Sequence, residues 1–289
     1  MAILTIARLT LREASRRKLL LAVAILTVVL AALTGFAFHK LLALPCGNSG
    51  QPHPCSAHTL TLLAATLLIL LAFMFSFVLA VGAAFIGAPS VAGDIESGVL
   101  LSMLPRPIRR GDVILGKWLG LAALIVLYAG ITCGIEFVIS AITLNYVPPH
   151  PILAILFLIA EALAVLSLTM AASTRVSAMT VGIVVVVLFG LNWIAGIAGA
   201  VGAAFHTRAI QDIGTVSSLL LPTDGLWRAT IYNLEPVALL STGGAADRVA
   251  AGNPFFVLTG PATAYVIWAI AWVIAVLGIT MWSFNRREL

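Results

Sequence analysis

The chain has 289 residues, of which 61% are hydrophobic and only 9% are charged, with a formal net charge of +5. A soluble domain is roughly 45–50% apolar and about 25% charged, so this chain has too little charge to coat a water-facing surface. Composition therefore excludes a soluble globular protein. The basic residues lie beside apolar runs and form no stripe on a soluble face, so we expect no nucleic-acid partner and a lipid bilayer instead.

Six apolar runs reach the length of about 20 residues that a membrane-spanning helix needs. Because the runs are continuous and do not alternate, they predict helices and not the strands of a barrel. The fold class expected is an all-α integral membrane protein with one transmembrane domain, residues 1–289. Its predicted spans are residues 19–38, 60–88, 118–144, 152–173, 178–205 and 261–284.

The distribution of lysine and arginine predicts the orientation of these spans. With the N-terminus inside, twelve of the sixteen basic residues fall on the inner side and four on the outer side. The inner set is Arg8, Arg12, Arg16, Arg17, Lys18, Arg106, Arg109, Arg110, Lys117, Arg175, Arg286 and Arg287, and the outer set is Lys40, Arg208, Arg228 and Arg248. We therefore expect both ends of the chain on the cytoplasmic side.

Residues 1–18 predict an amphipathic helix that lies in the membrane interface before the first span. Arg8, Arg12 and Arg16 recur at every fourth position and form one polar stripe, while Ile3 and Ile6 lie elsewhere on the helical wheel. The alternative is a plain cytoplasmic extension of the first span.

The first outer loop contains two cysteines, Cys46 and Cys55. On the outer side they would face an oxidising compartment, so a disulfide between them is the favoured interpretation. The alternative is a soft-metal site in which His53 and His58 join the two cysteines, since these are ligand types for zinc or copper. Their spacing matches no established metal pattern. The third cysteine, Cys133, lies inside the third span as a small buried apolar residue.

Residues 89–117 form the largest inner loop, and within it a short coupling helix is predicted. Asp94 and Glu96 suit the start of such a helix, and Pro105 and Pro107 end it. Its apolar face is formed by Val99, Leu100, Met103 and Leu104, and a cluster of arginines, Arg106, Arg109 and Arg110, follows before a second helix enters the third span. An exposed apolar face at the membrane surface is typical of a docking element, although an ordinary basic inner loop is the simpler interpretation.

Two acids and one amide lie inside predicted spans: Glu136, Glu161 and Asn192. A charge in the membrane costs roughly 2.5–3.5 kcal/mol on insertion scales, so such residues usually face a cavity or a partner. The glutamates are candidates for a substrate pathway or a proton-linked site, or else neutral carboxyls bonded to a neighbouring helix. For Asn192 a packing hydrogen bond is favoured.

Residues 206–260 form a long outer segment of mixed polarity. Leu219, Leu220 and Leu221 before Pro222 predict short helices that lie on the membrane. Trp227 and Tyr232 are expected at the level of the lipid headgroups.

The inner loop resembles that of the membrane subunit of an ABC transporter of the type 2 exporter class, whose permeases include one from the nitrous-oxide-reductase maturation cluster. The residues that carry the resemblance are Glu96 with Gly98, Leu100–Leu104, Pro107 with Arg110, and Leu115-Gly116-Lys117. Val99 stands where the family often has Thr. The start of the chain, Ala7–Ala14, resembles the family's N-terminal helix, and the order of six spans agrees as well.

The resemblance implies a permease that pairs with a second permease copy or homologue and with two cytoplasmic ABC ATPases, in the cytoplasmic membrane of a bacterium or archaeon. The ATPase contact would involve Asp94, Glu96, Gly98, Val99, Leu100, Met103, Leu104, Arg106, Arg109 and Arg110, with Arg8, Arg12 and Arg16 of the N-terminal helix beside it. ATP and Mg would be bound by the partner, and this chain would hold no cofactor. The segment Gly111-x4-Gly116-Lys117 matches part of a phosphate-binding loop, but Trp118 stands where that motif needs Ser or Thr. We therefore expect no enzyme activity in this chain.

Two alternatives stay open at this point. One is a secondary transporter that uses Glu136 and Glu161 as coupling groups, for which broken helices and internal repeats would be expected. The other is a membrane assembly factor that transports nothing. No residue selects a substrate.

Overall fold

The computed structural model describes residues 2–15, 18–43, 57–97, 110–235, 255–257 and 259–286. Within these ranges the chain folds into helices and contains no β-strand, which confirms the all-α class. The helices are α1 (Ala2–Ser15), α2 (Lys18–Ala43), α3 (Ala57–Glu96), α4 (Arg110–Leu144), α5 (Pro151–Ser173), α6 (Ala178–Ala204), α7 (Arg208–Leu220), α8 (Thr223–Leu234) and α9 (Thr263–Asn285).

Among the described residues, five helices are long and apolar enough to cross a membrane: α3, α4, α5, α6 and α9. The protein is therefore an integral membrane protein that crosses the bilayer several times. Helix α2 has 26 residues, about 39 Å at 1.5 Å per residue, and its described side chains contain the shorter apolar stretch Thr27–Lys40. A sixth crossing by α2 stays a prediction.

Two helices are much longer than a bilayer requires. Helix α3 has 40 residues and would measure about 60 Å, twice the thickness of the hydrocarbon core. Helix α4 has 35 residues. The helices therefore include residues 89–96 and 110–117, which the sequence analysis assigned to the inner loop. Pro89 lies inside α3, so the helix continues through this proline and beyond the end of its apolar run.

The main core lies where α3, α4, α5, α6 and α9 meet. Its buried side chains include Phe75, Leu79, Leu121, Leu158, Leu166, Met170, Val185, Phe189 and Phe284. Helix α2 joins this core through a hydrogen bond of 2.6 Å between the hydroxyls of Thr27 and Tyr128 on α4.

Helix α1 packs against the first part of α4, at a place where α4 has two glycines. A Cβ at Gly116 would lie 2.7 Å from Cβ of Ile6, and a Cβ at Gly120 would meet the carbonyl oxygen of Ala7. Only glycine allows the two backbones this approach. A second pair with the same spacing, Gly130 and Gly134, has no atom within 4 Å of a built Cβ. The Gly-x3-Gly spacing therefore marks close packing at only one of its two occurrences in α4.

At the opposite end of the bundle, α7 folds back along α6. A Cβ at Gly199 of α6 would lie 2.8 Å from Cα of Gly214 on α7. We refer to the two ends of the bundle as the α1 end and the α8 end.

Helix α8 is enclosed by other helices, whereas the sequence analysis expected short helices that lie on the membrane. It is buried along almost its whole length among α3, α5 and α6. With 12 residues it measures about 18 Å, too short to cross a bilayer. The expectation for Trp227 was wrong: its side chain is 2% exposed and its ring lies 5.7 Å from that of Phe73 on α3.

The contact of α1 with α4 provides a first test. We expect Gly120→Ala to destabilise the protein by about 1–3 kcal/mol, because the added methyl group overpacks the interface with Ala7. Gly130→Ala in the same helix should be neutral or slightly stabilising, since its Cβ meets open space. Thermal unfolding of the two variants in the same detergent measures the difference. Equal losses in both variants would contradict the described packing of α1.

Candidate functional site

Asp94 and Glu96, two of the predicted ATPase-coupling residues, lie in the last turn of α3. They do not begin a separate helix, so this part of the sequence interpretation was wrong. Gly98, Val99, Leu100, Met103, Leu104, Arg106 and Arg109 lie outside the described residues, and Arg110 is the first residue of α4. The described part of the predicted coupling segment therefore consists of the two helix ends that flank it.

Two carboxylates at the C-terminal end of a helix face the negative end of its dipole, so each requires a compensating partner. The partner of Asp94 is Lys117 on α4, whose ammonium group forms an ion pair with the carboxylate and also donates to the carbonyl oxygen of Ser90. The Lys117 side chain is 11% exposed and that of Asp94 is 24% exposed. The pair therefore clamps the end of α3 to the beginning of α4.

The partner of Glu96 lies on α6. One carboxylate oxygen of Glu96 accepts a hydrogen bond of 3.3 Å from the backbone N–H of Ala178, the first residue of α6. The first N–H groups of a helix have no partner within it, and the positive end of the dipole attracts an anion there. Glu96 thus connects the end of α3 to the beginning of α6.

Three consecutive residues of α4 contact three different helices at the α1 end. Gly116 packs against α1, Lys117 bonds α3, and the indole N–H of Trp118 donates to the hydroxyl of Ser167 on α5 at 3.0 Å. We call residues 116–118 the α4 junction. The sequence analysis used Lys117 for the charge bias and as part of a motif but missed its partner, because Asp94 lies 23 residues away in the sequence.

Two of the three predicted N-terminal contact residues are described. Arg8 and Arg12 are exposed on α1, while the face that contains Ile6 and Ala7 packs on α4. Arg16 lies outside the described residues. Arg8 and Arg12 therefore lie at the exposed surface of α1.

The three candidate pathway residues lie in separate surroundings. Glu161 is 2% exposed on α5, and one of its oxygens accepts a hydrogen bond of 2.9 Å from Ser76 on α3, while the other oxygen has no partner among the described residues. Glu136 is 3% exposed and borders a void of about 20 Å³. Neither of its oxygens has a partner in the described part of the chain. The hydroxyl of Thr34 lies nearby but donates to the carbonyl of Leu30.

Asn192 makes two hydrogen bonds at the α8 end. Its amide nitrogen donates to Thr223 of α8 at 2.7 Å, and its amide oxygen accepts from Ser217 of α7 at 2.6 Å. The packing interpretation of this residue agrees with these contacts. Asn192 also borders an apolar cleft of about 650 Å³ whose walls come from α5, α6, α7 and α9.

A second ion pair holds α8 inside the bundle. The guanidinium of Arg228 bonds the carboxylate of Asp224 at 2.8 Å and the carbonyl oxygen of Gly196 on α6 at 2.6 Å. Burial raises the pKa of the Asp224 carboxyl above its usual range, although Arg228 acts in the opposite direction. The polar side chains of residues 206–260 therefore include an ion pair inside the bundle.

The end of α8 is bonded to the loop between α4 and α5. Tyr146 donates to the carbonyl of Leu234 at 2.8 Å, and the backbone N–H of His150 donates to that of Asn233 at 3.3 Å. Glu235 follows, and its carboxylate accepts a hydrogen bond of 2.8 Å from the N–H of Val257. Burial raises the pKa of Glu235 to about 7, and the bond from Val257 opposes this shift.

The outer cysteines cannot be assigned from these contacts, because Cys46, His53 and Cys55 lie outside the described residues, as does the side chain of His58. Cys133 is 7% exposed and free, which agrees with its prediction as a buried apolar residue. Within the described residues no group of three His, Cys, Asp or Glu side chains is arranged to hold a metal ion.

The raised pKa of Glu235 predicts a pH-dependent stability. The folded state keeps a proton that the unfolded state releases above the usual value of 4.5, so stability should fall as the pH rises from 4.5 to about 7. Glu235→Gln should remove this dependence and keep the acceptor for Val257. Thermal unfolding between about pH 5 and pH 8 tests the prediction. Asp212→Asn, at an exposed acid of α7, is the matched control. A wild-type protein whose stability is constant over this window contradicts the burial of Glu235.

Comparison with known families agrees with the arrangement of long apolar helices described above. The chain matches the family described as ABC-2 family transporter protein over residues 4–289, which is nearly its whole length. No curated protein matches the chain significantly. Because the match extends from α1 to the end of α9, the chain belongs to the ABC-2 family of transporter proteins.

Proposed function

We propose that the chain is the membrane permease subunit of an ATP-driven exporter, in which two permeases work with two cytoplasmic ATPases. Its membership of the ABC-2 family over residues 4–289 carries the proposal. ATP and Mg²⁺ belong to the ATPases in this proposal. The Gly116-Lys117 segment lies inside α4 and precedes Trp118, whereas a phosphate-binding loop needs Ser or Thr there, ahead of a soluble helix.

We place the ATPase contact at the loop between α3 and α4 and at α1. Both flanking helices are longer than a bilayer needs, so their ends next to the loop would extend beyond the hydrocarbon. Arg8 and Arg12 are exposed on α1, which packs beside the beginning of α4. A basic surface and a leucine-rich loop would thus lie close to each other at one end of the bundle.

This end is the cytoplasmic one in our proposal, with both termini inside. The described basic residues support it, since Arg8, Arg12, Lys117, Arg175 and Arg286 belong to helix ends and turns at the α1 end. Arg208 and Arg228 belong to the α8 end. An excess of Lys and Arg marks the cytoplasmic side, and a bacterial or archaeal inner membrane fits this arrangement.

We place the translocation pathway between two copies of the chain and not through one of them. Glu136 and Glu161 are enclosed by neighbouring helices. Helix α6 instead exposes a continuous apolar face, formed by Ile183, Val184, Val187, Leu188, Leu191 and Ile194. A second copy seated against such a face would complete the pathway that one copy lacks.

The ATPase contact is tested by copurification of the chain with the ABC ATPases of its source organism. Arg109→Glu reverses a charge in the predicted contact loop, and we expect at least about a tenfold loss of bound ATPase, the usual size of a broken interfacial charge contact. Arg208→Glu is the matched control at the opposite end and should bind as the wild type does. A wild-type chain that purifies without any ATPase would falsify the proposed function.

The secondary-transporter alternative is favoured by one observation, the buried carboxyl groups that lack full hydrogen bonding. Glu161→Gln separates the two functions, because Gln keeps the oxygen that accepts from Ser76 but cannot carry a proton. For an ATP-driven permease we expect vanadate-sensitive ATPase activity and stability close to those of the wild type. Loss of all transport in this variant, with the ATPase complex intact, would favour proton coupling.

A further inference from the structure

Two acids of the predicted coupling segment have partners on other helices of the protein. Asp94 and Glu96 use their carboxylates inside the protein, on Lys117 of α4 and on the N-terminus of α6. The carboxylate of Asp94 is engaged by a largely buried ammonium group, whereas that of Glu96 is exposed and accepts one hydrogen bond from a helix terminus. The remaining residues of the segment, 98–110, connect the two helix ends that these carboxylates hold.

From this geometry we infer that the Asp94–Lys117 ion pair is the element that transmits movement of the loop to the spans. The inference rests on the proposed function. A loop joined to two independent helix ends can bend without moving either helix. Because the ion pair holds the two helix ends together close to the loop, a force on the loop displaces both helices as one rigid body.

The position of Lys117 determines which helices receive this movement. Its neighbours Gly116 and Trp118 contact α1 and α5, so the α4 junction joins α1, α3, α4 and α5 at one level. Glu96 extends the same body to α6 through Ala178. Asp94 and Lys117 are therefore positioning residues that act through the spans and not on ATP.

The low exposure of the pair makes it suitable for this task. With 11% of the Lys117 side chain exposed, water cannot easily replace Asp94 as its partner. Loss of one member leaves a poorly solvated charge, whereas replacing both by uncharged residues of similar size is often tolerated. Comparing the single variants with the double neutral variant therefore distinguishes a role of the pair in stability from a role in transmission.

The test uses the complex of the full chain with its ATPase in lipid nanodiscs. Hydrogen exchange of residues 145–150 and 206–210, at the α8 end, is measured with and without ATP plus vanadate. In the wild type we expect nucleotide trapping to change this exchange. The variants are Lys117→Met, Asp94→Asn, the two combined, and the reversed pair Asp94→Arg with Lys117→Glu.

We expect the combined neutral variant to recover the unfolding temperature and ATPase binding that the single variants lose, because no unpaired charge is left. Its ATP hydrolysis should continue, while the exchange response at the α8 end falls by at least about fivefold, the lower range of coupling between distant sites. The reversed pair should restore part of the response. Asp112→Asn, one turn before the junction on α4, should respond as the wild type does.

A combined neutral variant that folds, binds the ATPase and shows the full exchange response overturns the inference, because the pair would then only stabilise the fold. This result leaves the proposed function intact. A wild-type chain that neither binds an ATPase nor responds to nucleotide instead removes the proposed function itself, and the inference with it.

Discussion

Every backbone polar group within the bundle has to find its partner inside the protein, because hydrocarbon offers none. The carbonyl groups at the end of α8 illustrate this constraint, since Tyr146 and the N–H of His150 bond them. A helix of 12 residues can end inside the bundle only because such partners exist. The ion pair of Asp224 with Arg228 applies the same rule to charge. At the α8 end, a short helix and the neighbouring loop are thus hydrogen-bonded to each other.

The α1 end satisfies the same constraint with longer elements. Helices α3 and α4 are longer than a bilayer requires, and Asp94 and Lys117 form an ion pair close to the loop that joins them. Lys117 lies between a glycine that admits α1 and a tryptophan that bonds α5. Three consecutive residues of α4 therefore make a close backbone contact, an ion pair and a side-chain hydrogen bond to three other helices.

The sequence was sufficient for the apolar helices, because lipid requires long continuous runs whatever their tertiary partners are. It was not sufficient for α8. Trp227 and the charges beside it look like an interface segment, and only the position of Arg228 shows that Asp224 is neutralised internally. Likewise Asp94 and Glu96 resemble the start of a helix, since acids favour that position. They end α3 instead, because Lys117 and the N-terminus of α6 compensate them, and both partners are distant in sequence.

The choice of partners for these two acids bears on how a permease of this family could recognise an ATPase. Recognition requires exposed groups, whereas transmission of force requires groups that are held firmly. One residue seldom performs both functions. A carboxylate that left its ammonium partner to bind another protein would leave that ammonium buried and unpaired. In our proposal the apolar and basic residues of 98–110 therefore recognise the ATPase, and the acids behind them hold the helices. A change of partner specificity would then alter the loop and leave Asp94, Glu96 and Lys117 unchanged.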